Sequence, residues 1–446
     1  MVKVITYGTF DLLHQGHINL LKRAKKLGDY LIVGVTSDSY DRERGKLNVQ
    51  ESLVKRIQNI KDLGLADEII VEEYEGQKVV DVEKYNVDKF VIGSDWIGKF
   101  DYLKQFCEVI YLERTKGISS TDLRNKKNDI LKIGIIGSGR IAKRFVKEAR
   151  YVSGINIEGV FSRNKENCEK FAEANELNFY STNYEEFIKK VDAVYIATPH
   201  KTHYEYIKKS LELKKHVLCE KPMVLFENEA IELYELAKKK KVILLEAIKT
   251  AYCPAYQKMM SIAKSGVIGE IKDIEACFTK LVSGNIRELE LIEAGGSVTE
   301  LATYTLLPII EILGKPNDID FYSYFDEIKG VDLYTKILLK YPKGLTAIAK
   351  VGLGVKSEGE LIISGTKGYI YVPAPWWKTE YFEVRFEDSS KNRKYFYKFE
   401  EDGLRYELAE FLKLIINKKN ANYKLKEKIS LEIISIINIF LNSLSK

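Results

Sequence analysis

The sequence predicts an α/β protein with two successive parallel-sheet domains, followed by an α+β domain built on a large, mostly antiparallel sheet. Three observations carry that expectation. Apolar strand-like runs alternate with helix-like stretches along residues 1–112 and start again after residue 130. That is the pattern of parallel strands with helices on their faces. Two glycine-marked turns, GTFDLLH at 8–14 and GSGRIA at 137–142, each follow a strand and open a helix. Beyond about residue 253 the pattern changes to longer strand-like runs.

Taken in order, VKVITYGTF reads as a strand, HINLLKRAKKLG as a helix and YLIVGVTS as a strand. ESLVKRIQNIKDLG is helical by its apolar spacing, and DEIIVEE and KFVIGSD are strands. RNKKND at 124–129 is short, polar and almost without apolar side chains, so the main boundary falls near residue 128. LKIGIIGSGRIAKRFVKEA then repeats the strand, glycine turn and helix, and IEGVFSRN, DAVYIATP, HVLCEKP and VILLEA continue the alternation. TKILLKY, GLTAIAKVGL, GELIISG and GYIYVP supply the last sheet. The C-terminal ISLEIISIINIFLNSLS is interrupted by Glu432, Asn438 and serines, as on an amphipathic helix returning to a core. The expected domains are 1–125, 130–252 and 253–446.

With 446 residues, 45% hydrophobic and 30% charged, the chain has ordinary globular usage, which excludes a disordered or low-complexity class. Its net charge of +6 is too weak to imply nucleic acid. Residues 1–129 are neutral, with 21 basic and 21 acidic side chains, so the excess lies in the remainder. The five cysteines are scattered without a CxxC pair, which fits a reducing cytoplasm rather than a disulfide framework or zinc knuckle. No signal-peptide pattern or uninterrupted apolar run of membrane length is present, so no membrane partner is expected.

His14 and His17 sit three apart as the first helix begins, so both imidazoles can face one point beside free backbone N–H groups and the positive end of a helix. A triphosphate needs such a place. In an in-line displacement at its α-phosphate, two imidazoles can hydrogen-bond the developing charge. A histidine pair alone is more often a surface or capping feature; the preceding strand and the GTFD turn set this one apart. GTFDLLHQGHINLLKRAKKLGDYLIVGV, with VIGSDWIGKFDYL at 91–103 and ERTKGISSTDLR at 113–124, resembles the HxGH nucleotidylyltransferase superfamily. Within it, the segment is most similar to the glycerol-3-phosphate cytidylyltransferases, a Rossmann-like fold, over residues 1–125.

The resemblance implies that Thr9, Phe10 and Asp11 form the turn beside CTP and that His14 and His17 stabilise the pentacoordinate phosphorus. It implies that Lys46, with Arg44 as a second candidate, neutralises reactant phosphates, and that Asp95 and Trp96 border the cytidine and substrate. Arg114, Thr115, Ser119, Ser120 and Thr121 would cradle the triphosphate. Mg²⁺ is expected with CTP, held mostly by phosphates and water. RGK at 44–46 and ISST at 118–121 depart from the family pattern but keep charge or hydroxyl.

Gly137, Ser138, Gly139, Arg140, Ile141 and Ala142 form the GxGxxA variant of the dinucleotide fingerprint in its required strand–turn–helix context. The next strand ends in Ser162 and Arg163 instead of an acidic residue, a hydroxyl and a cation suited to a 2′-phosphate, so NADP(H) is favoured over NAD(H). DAVYIATPHKTHYEYI, HVLCEKP and LLEAIKTAYCPAY resemble the Gfo/Idh/MocA oxidoreductases, in particular their dihydrodiol dehydrogenase-like branch. The resemblance implies that Glu220 and Lys221, before Pro222, lie at the nicotinamide, with Lys221 on the reacting oxygen. GGSVTELATY at 295–304 places Tyr304 on the family's proton-donor position, where a neighbouring ammonium would lower its pKa. Thr198, Pro199 and His203 fall beside the cofactor. The family's aspartate is Glu300 here and its second glycine is Ala302, which puts the substrate in doubt.

Two such sites on one chain imply a bifunctional enzyme making a CDP-activated polyol for surface glycan, teichoic acid or capsule synthesis. Its partners would be CTP and a polyol phosphate or ketose phosphate, with reduction either before cytidylyl transfer or after it on a CDP-ketose. A homo-oligomer, dimer or tetramer, is expected from the resembled families. The alternatives are a non-catalytic dinucleotide-binding scaffold after a cytidylyltransferase, and an adenylyltransferase in place of the first domain.

Overall fold

The computed structural model describes residues 1–446 apart from 44, 45, 47, 48, 50, 114–129, 285, 417–422, 445 and 446. They form two compact units, 1–131 with 150–156, and 132–149 with 157–446.

In the first unit, strands β1 (Lys3–Gly8), β2 (Tyr30–Thr36), β3 (Glu68–Glu72), β4 (Lys89–Gly93) and β5 (Glu108–Leu112) form a sheet in the order β3-β2-β1-β4-β5. Every ladder is parallel. Helices α1 (Gln15–Lys25), α2 (Asp38–Glu43), α3 (Leu53–Asp62) and α4 (Gln77–Tyr85) connect the strands. Because side chains alternate along a strand, Val4, Val33 and Val91 pack with Leu21 and Ile60 on one face. Ile5, Ile32 and Phe90 pack with Val82 and Leu103 on the other. Burial on both faces is why these strands read as nearly continuous apolar runs.

The second unit opens with β6 (Leu131–Ile136), whose chain continues into α5 (Arg140–Ala149), β7 (Ile155–Phe161), α6 (Lys165–Ala174), β8 (Phe179–Ser181), α7 (Tyr184–Ile188), β9 (Ala193–Ile196), α8 (His203–Glu212), β10 (His216–Glu220), α9 (Glu227–Lys240) and β11 (Leu244–Ala247). These strands make a sheet in the order β11-β10-β9-β6-β7-β8. After α10 (Lys249–Tyr252) and α11 (Pro254–Lys264) comes an eight-stranded sheet. Its strands are β12 (Ile271–Thr279), β13 (Asp318–Phe325), β14 (Asp332–Lys340), β15 (Thr346–Gly352), β16 (Leu361–Gly365), β17 (Gly368–Val372), β18 (Tyr381–Phe386) and β19 (Arg393–Phe396). The order is β13-β14-β15-β12-β16-β17-β18-β19. All its pairings are antiparallel except β12 with β15, so the sheet is mixed.

The buried helix α12 (Ser297–Leu313) crosses this sheet against β12, β14 and β15. The last helices turn back: α13 (Leu404–Ile416) packs on α5, and α14 (Glu427–Ser443) lies against α9 and α12. Ile434 of α14 joins the core around β9 and β10, which ties the two sheets of this unit together. No helix among the described residues is long and apolar enough to cross a membrane.

One buried acid gives a stability test. Glu246 on β11 is fully buried and accepts a hydrogen bond from Met223 N–H at 3.0 Å. Burial pushes its pKa from 4.5 to about 7. The folded chain keeps this proton while the unfolded chain releases it, so the group opposes folding increasingly as pH rises from about 4.5 to about 7. Glu246→Gln keeps an acceptor for Met223 and removes the ionisation. Relative to wild type it should gain on the order of 3 kcal/mol of stability between pH 5 and pH 8. Parallel unfolding profiles for the two proteins across that range would contradict this.

Candidate active sites

In the first sheet the strand order reverses between β1 and β4, and the turns that follow these strands flank a crevice where ligands of open α/β sheets bind. The turn after β1 carries the histidines. Phe10 and Leu12 both hold positive φ, +52° and +47°, a conformation non-glycine residues adopt only when their surroundings enforce it. Phe10 is buried, and its ring meets His17 edge-on at 5.4 Å. His14 caps α1, and its Nδ1 accepts from the Gly16 N–H at 3.1 Å. That bond leaves the ring proton on Nε2 in the neutral tautomer. A side chain at 16 would meet the His14 ring at about 3.0 Å, so the glycine between the histidines makes room for this fold-back. The two imidazoles stack with centroids 3.7 Å apart. Together they present one surface at the positive end of α1.

A buried arginine holds this turn. Arg56 of α3 has no exposed surface and donates to the carbonyls of Thr9 (2.6 Å) and Thr36 (2.9 Å) while pairing with Asp38 of α2. Thr9 Oγ1 donates to Asp41 (2.8 Å), whose carbonyl accepts from Lys46 N–H (2.7 Å). Asp11 accepts from Glu51 N–H at 2.9 Å. Hydrogen bonds thus join Thr9 to Asp41 and Asp41 to the Lys46 backbone, and ring contacts join Phe10, His14 and His17. Asp95 and Trp96 sit on the short turn Ser94–Trp96 after β4, the other wall of the crevice. Arg114, Thr115, Ser119, Ser120, Thr121 and Arg44 lie outside the described residues.

In the second sheet the reversal falls between β6 and β9. Gly137 has φ +104°, and a Cβ there would stand 2.6 Å from the Ala197 carbonyl, so only glycine fits. Its N–H donates to Phe161 O at 2.9 Å, joining the turn to the end of β7. A Cβ on Gly139 would meet nothing within 4 Å. That open space before the first turn of α5, where unpaired N–H groups point, fits a dinucleotide pyrophosphate. Ala142 is fully buried where α5 meets the sheet, and Ile141 is half-buried. Arg140 is exposed and pairs with Glu288 at 3.0 Å. Ser162 and the exposed Arg163 follow β7 directly.

On the far side, Thr198 and Pro199 follow β9, and Thr202 Oγ1 donates to Thr198 Oγ1 at 2.8 Å. His203 is fully buried, its ring nitrogens 2.8 Å from the Thr198 carbonyl and 3.0 Å from the Pro222 carbonyl. It spans the β9 and β10 turns as a brace between them.

Lys221 donates from Nζ to the Glu300 carbonyl at 2.8 Å, lies 3.9 Å from the Glu300 carboxylate and stands 5.6 Å over the Tyr304 ring. Glu220 accepts from the Tyr195 hydroxyl and is pushed up by burial. The expected lowering of the Tyr304 pKa is reversed. Burial, then Glu220 and Glu407, raise it well above its ordinary value. In this state the Lys221 ammonium is committed to the Glu300 carbonyl and the phenol is buried, so the hydroxyl keeps its proton. His200, which carries no motif of its own, joins the cluster 3.8 Å from Glu300, and burial together with Lys221 pushes its pKa well down, leaving it neutral. Arg287 pairs with the same carboxylate at 2.8 Å. Among the described residues no cluster of His, Cys, Asp and Glu could hold a metal ion.

The first unit thus has the architecture of a nucleotidyltransferase, and the second that of a dinucleotide-dependent oxidoreductase. The comparisons agree: the cytidylyltransferase-like family matches residues 5–126, the oxidoreductase family with an NAD-binding Rossmann fold 131–248, and the GFO/IDH/MocA C-terminal domain 256–371. Glycerol-3-phosphate cytidylyltransferase of Bacillus spizizenii is 52% identical over 124 residues, 28% of this chain and 95% of that protein. Trans-1,2-dihydrobenzene-1,2-diol dehydrogenase of Sus scrofa is 30% identical over 253 residues, 55% of this chain and 75% of that protein. A solved 3-ketoreductase, KijD10 of Actinomadura kijaniata, in complex with NADP and TDP-benzene, shares the fold at 20% identity, with a TM-score of 0.62 over 69% of this chain and 96% of that one. The chain belongs to both families, a cytidylyltransferase fused to a GFO/IDH/MocA oxidoreductase, and is a bifunctional enzyme.

Proposed function

We propose that this enzyme makes a CDP-activated polyol by cytidylyl transfer and NADPH-dependent ketone reduction. In the first reaction a phosphate oxygen of the sugar phosphate attacks the α-phosphorus of CTP, and pyrophosphate leaves. The Nε2–H of His14 and the ring of His17 hydrogen-bond the charge that builds on the α-phosphoryl oxygens. Lys46 neutralises incoming phosphate, and Mg²⁺ would accompany CTP.

In the second reaction the Gly137–Gly139 turn and the start of α5 would hold the dinucleotide, which would supply hydride for the ketone carbon. Lys221 hydrogen-bonds the ketone oxygen, and Tyr304 gives that oxygen its hydroxyl proton. A phenol held protonated in the resting site is the form a reductase needs.

The observation that carries this reading is the meeting of Lys221, Glu300 and Tyr304 behind a glycine turn fitted to pyrophosphate, on a chain whose first quarter matches a cytidylyltransferase. One feature favours reduction after cytidylyl transfer. The Tyr304 ring lies 5.4 Å from Phe278, which with Trp377, Leu281 and Pro375 forms the mostly apolar lining of a cavity of about 600 Å³ that Lys280 and Lys356 also border. Phe278 and Trp377 stack at 3.6 Å as an aromatic shelf, and both lysines are exposed. A base and a diphosphate suit that lining better than a bare sugar phosphate. The reading places the enzyme in the cytoplasm, as a homo-oligomer, supplying donors for polyol-phosphate surface polymers such as teichoic acid or capsule.

NADPH oxidation with CTP and a panel of three- to seven-carbon ketose phosphates tests the reading. At least one member should be reduced, and reduction of none, free or as a CDP adduct, rejects it in favour of a dinucleotide-binding scaffold. Arg163→Gln should raise the KM for NADPH by about ten- to a hundredfold, the worth of a charged hydrogen bond to a 2′-phosphate, and leave that for NADH unchanged. Equal effects on both coenzymes would refute NADPH selection by Arg163.

A further inference from the structure

A second cavity, of about 380 Å³, opens in the oxidoreductase unit at the edge strand β11, between α9 and the start of α14. It lies three strands from β6, whose turn carries the dinucleotide glycines. Its volume suits a small molecule. Glu246 and Ser430 line it from the buried end, and Oε2 of the first and Oγ of the second have no hydrogen-bond partner among the described residues. Ser430 stands close enough to Glu246 and Tyr234 to ease their upward pKa shifts, though not in hydrogen-bond geometry. Leaving buried polar groups unpaired costs free energy that a ligand's donors and acceptors recover. The other Glu246 oxygen is taken by Met223 N–H at 3.0 Å, two residues after Lys221. Tyr234, Tyr423 and Val242 make the walls aromatic and apolar. At the mouth are the exposed Lys238 and Lys426, the first paired with Glu427 at 2.8 Å.

We infer that this cavity is a second nucleotide site, with a pyrimidine base on Glu246 and Ser430 and the 5′-phosphate at Lys426. Three properties choose that ligand. The buried end offers a carboxyl and hydroxyls, which suit the donor and acceptor edge of a neutral base and not an anion. The aromatic walls suit a flat ring. Both lysines of the lining stand at the exposed end, where a phosphate meets a cation and keeps part of its water. Cytidine and uridine nucleotides share this chemistry, and a cytidylyltransferase occupies the same chain, so CMP is the probe. A nucleotide on Glu246 is one hydrogen bond, that to Met223, from the turn that carries Lys221.

Equilibrium dialysis of the full chain with labelled CMP, at saturating NADPH, counts the sites. Wild type should bind one more CMP per chain than Ser430→Leu, whose larger side chain fills the cavity. Lys426→Glu, an exposed change, should weaken the site that Ser430→Leu lacks by about tenfold for CMP, and by less than about twofold for cytidine, which has no phosphate. Ribose 5-phosphate, which has no base, should not displace CMP from it. UMP that competes equally assigns the site to the pyrimidine edge in general, and UMP that fails to compete assigns it to cytosine. Equal CMP counts in wild type and Ser430→Leu, an unchanged CMP affinity in Lys426→Glu, or displacement by ribose 5-phosphate as effective as by CMP itself would each overturn the inference. NADPH binding reports whether Ser430→Leu is folded, and where it is not, Lys426→Glu decides alone. The count needs no ketose, so it is independent of the proposed ketone reduction.

Discussion

Replacing His17 with alanine should lower pyrophosphate release from CTP by about a hundred- to a thousandfold, the cost of losing one donor to a developing oxyanion. His17 is the cleaner of the two targets because His14 also caps α1 through Gly16, so its loss would disturb the helix start. The turn survives the His17 change, since Arg56 holds it from Thr9 and Thr36, and Glu51 holds it from Asp11. NADPH binding should be unaltered. In a mixture of ketose phosphate, CTP and NADPH, His17→Ala should also stop NADPH oxidation, because the reductase then lacks its CDP-linked substrate. Continued oxidation with polyol phosphate accumulating would reverse the order of the two steps. An unchanged rate of pyrophosphate release would remove His17 from the chemistry.

Lys221→Met should lower NADPH oxidation by about a hundred- to ten-thousandfold, the span for a group that assists proton transfer to the reacting oxygen. CTP turnover should stay within about twofold of wild type. The variant should remain folded, because Glu300 keeps its ion pair with Arg287 and the ammonium's main bond is to a carbonyl. Full reductase activity in Lys221→Met would mean that Tyr304 and the neutral His200 suffice at the ketone oxygen. A parallel fall in cytidylyl transfer would show that the substitution acts on folding and not on hydride transfer.

Much of the architecture is legible in the chain. Doubly buried parallel strands read as apolar runs, and the turns that open α1 and α5 are marked by short, local motifs. His14 with His17, and Gly137 with Gly139, are fixed by spacing within one turn, which a linear reading resolves. Arg56 is different: on an amphipathic helix it reads as a solvated charge, and only the packing of α3 on β2, which sets it against the Thr9 and Thr36 carbonyls, buries it. His200 and Arg287 likewise meet Glu300 from separate segments, with no motif between them. The sign of the Tyr304 shift is set first by burial, then by Glu220 and by Glu407 on a returning helix, and burial is not revealed by neighbours in sequence. The mixed third sheet was readable as sheet, but the parallel pairing of β12 with β15 arises because the α12 crossover and the β13–β14 hairpin lie between those strands.

In the proposed function one chain carries out both steps on one substrate. The product mass from a single-pot reaction of ketose phosphate, CTP and NADPH tests it most directly, run in parallel with wild type and Lys221→Met. Wild type should yield a CDP-polyol, and the variant a CDP-ketose lighter by two hydrogens. A variant that still yields the CDP-polyol, or a wild-type enzyme that stops at the CDP-ketose while NADPH stays unoxidised, would contradict it.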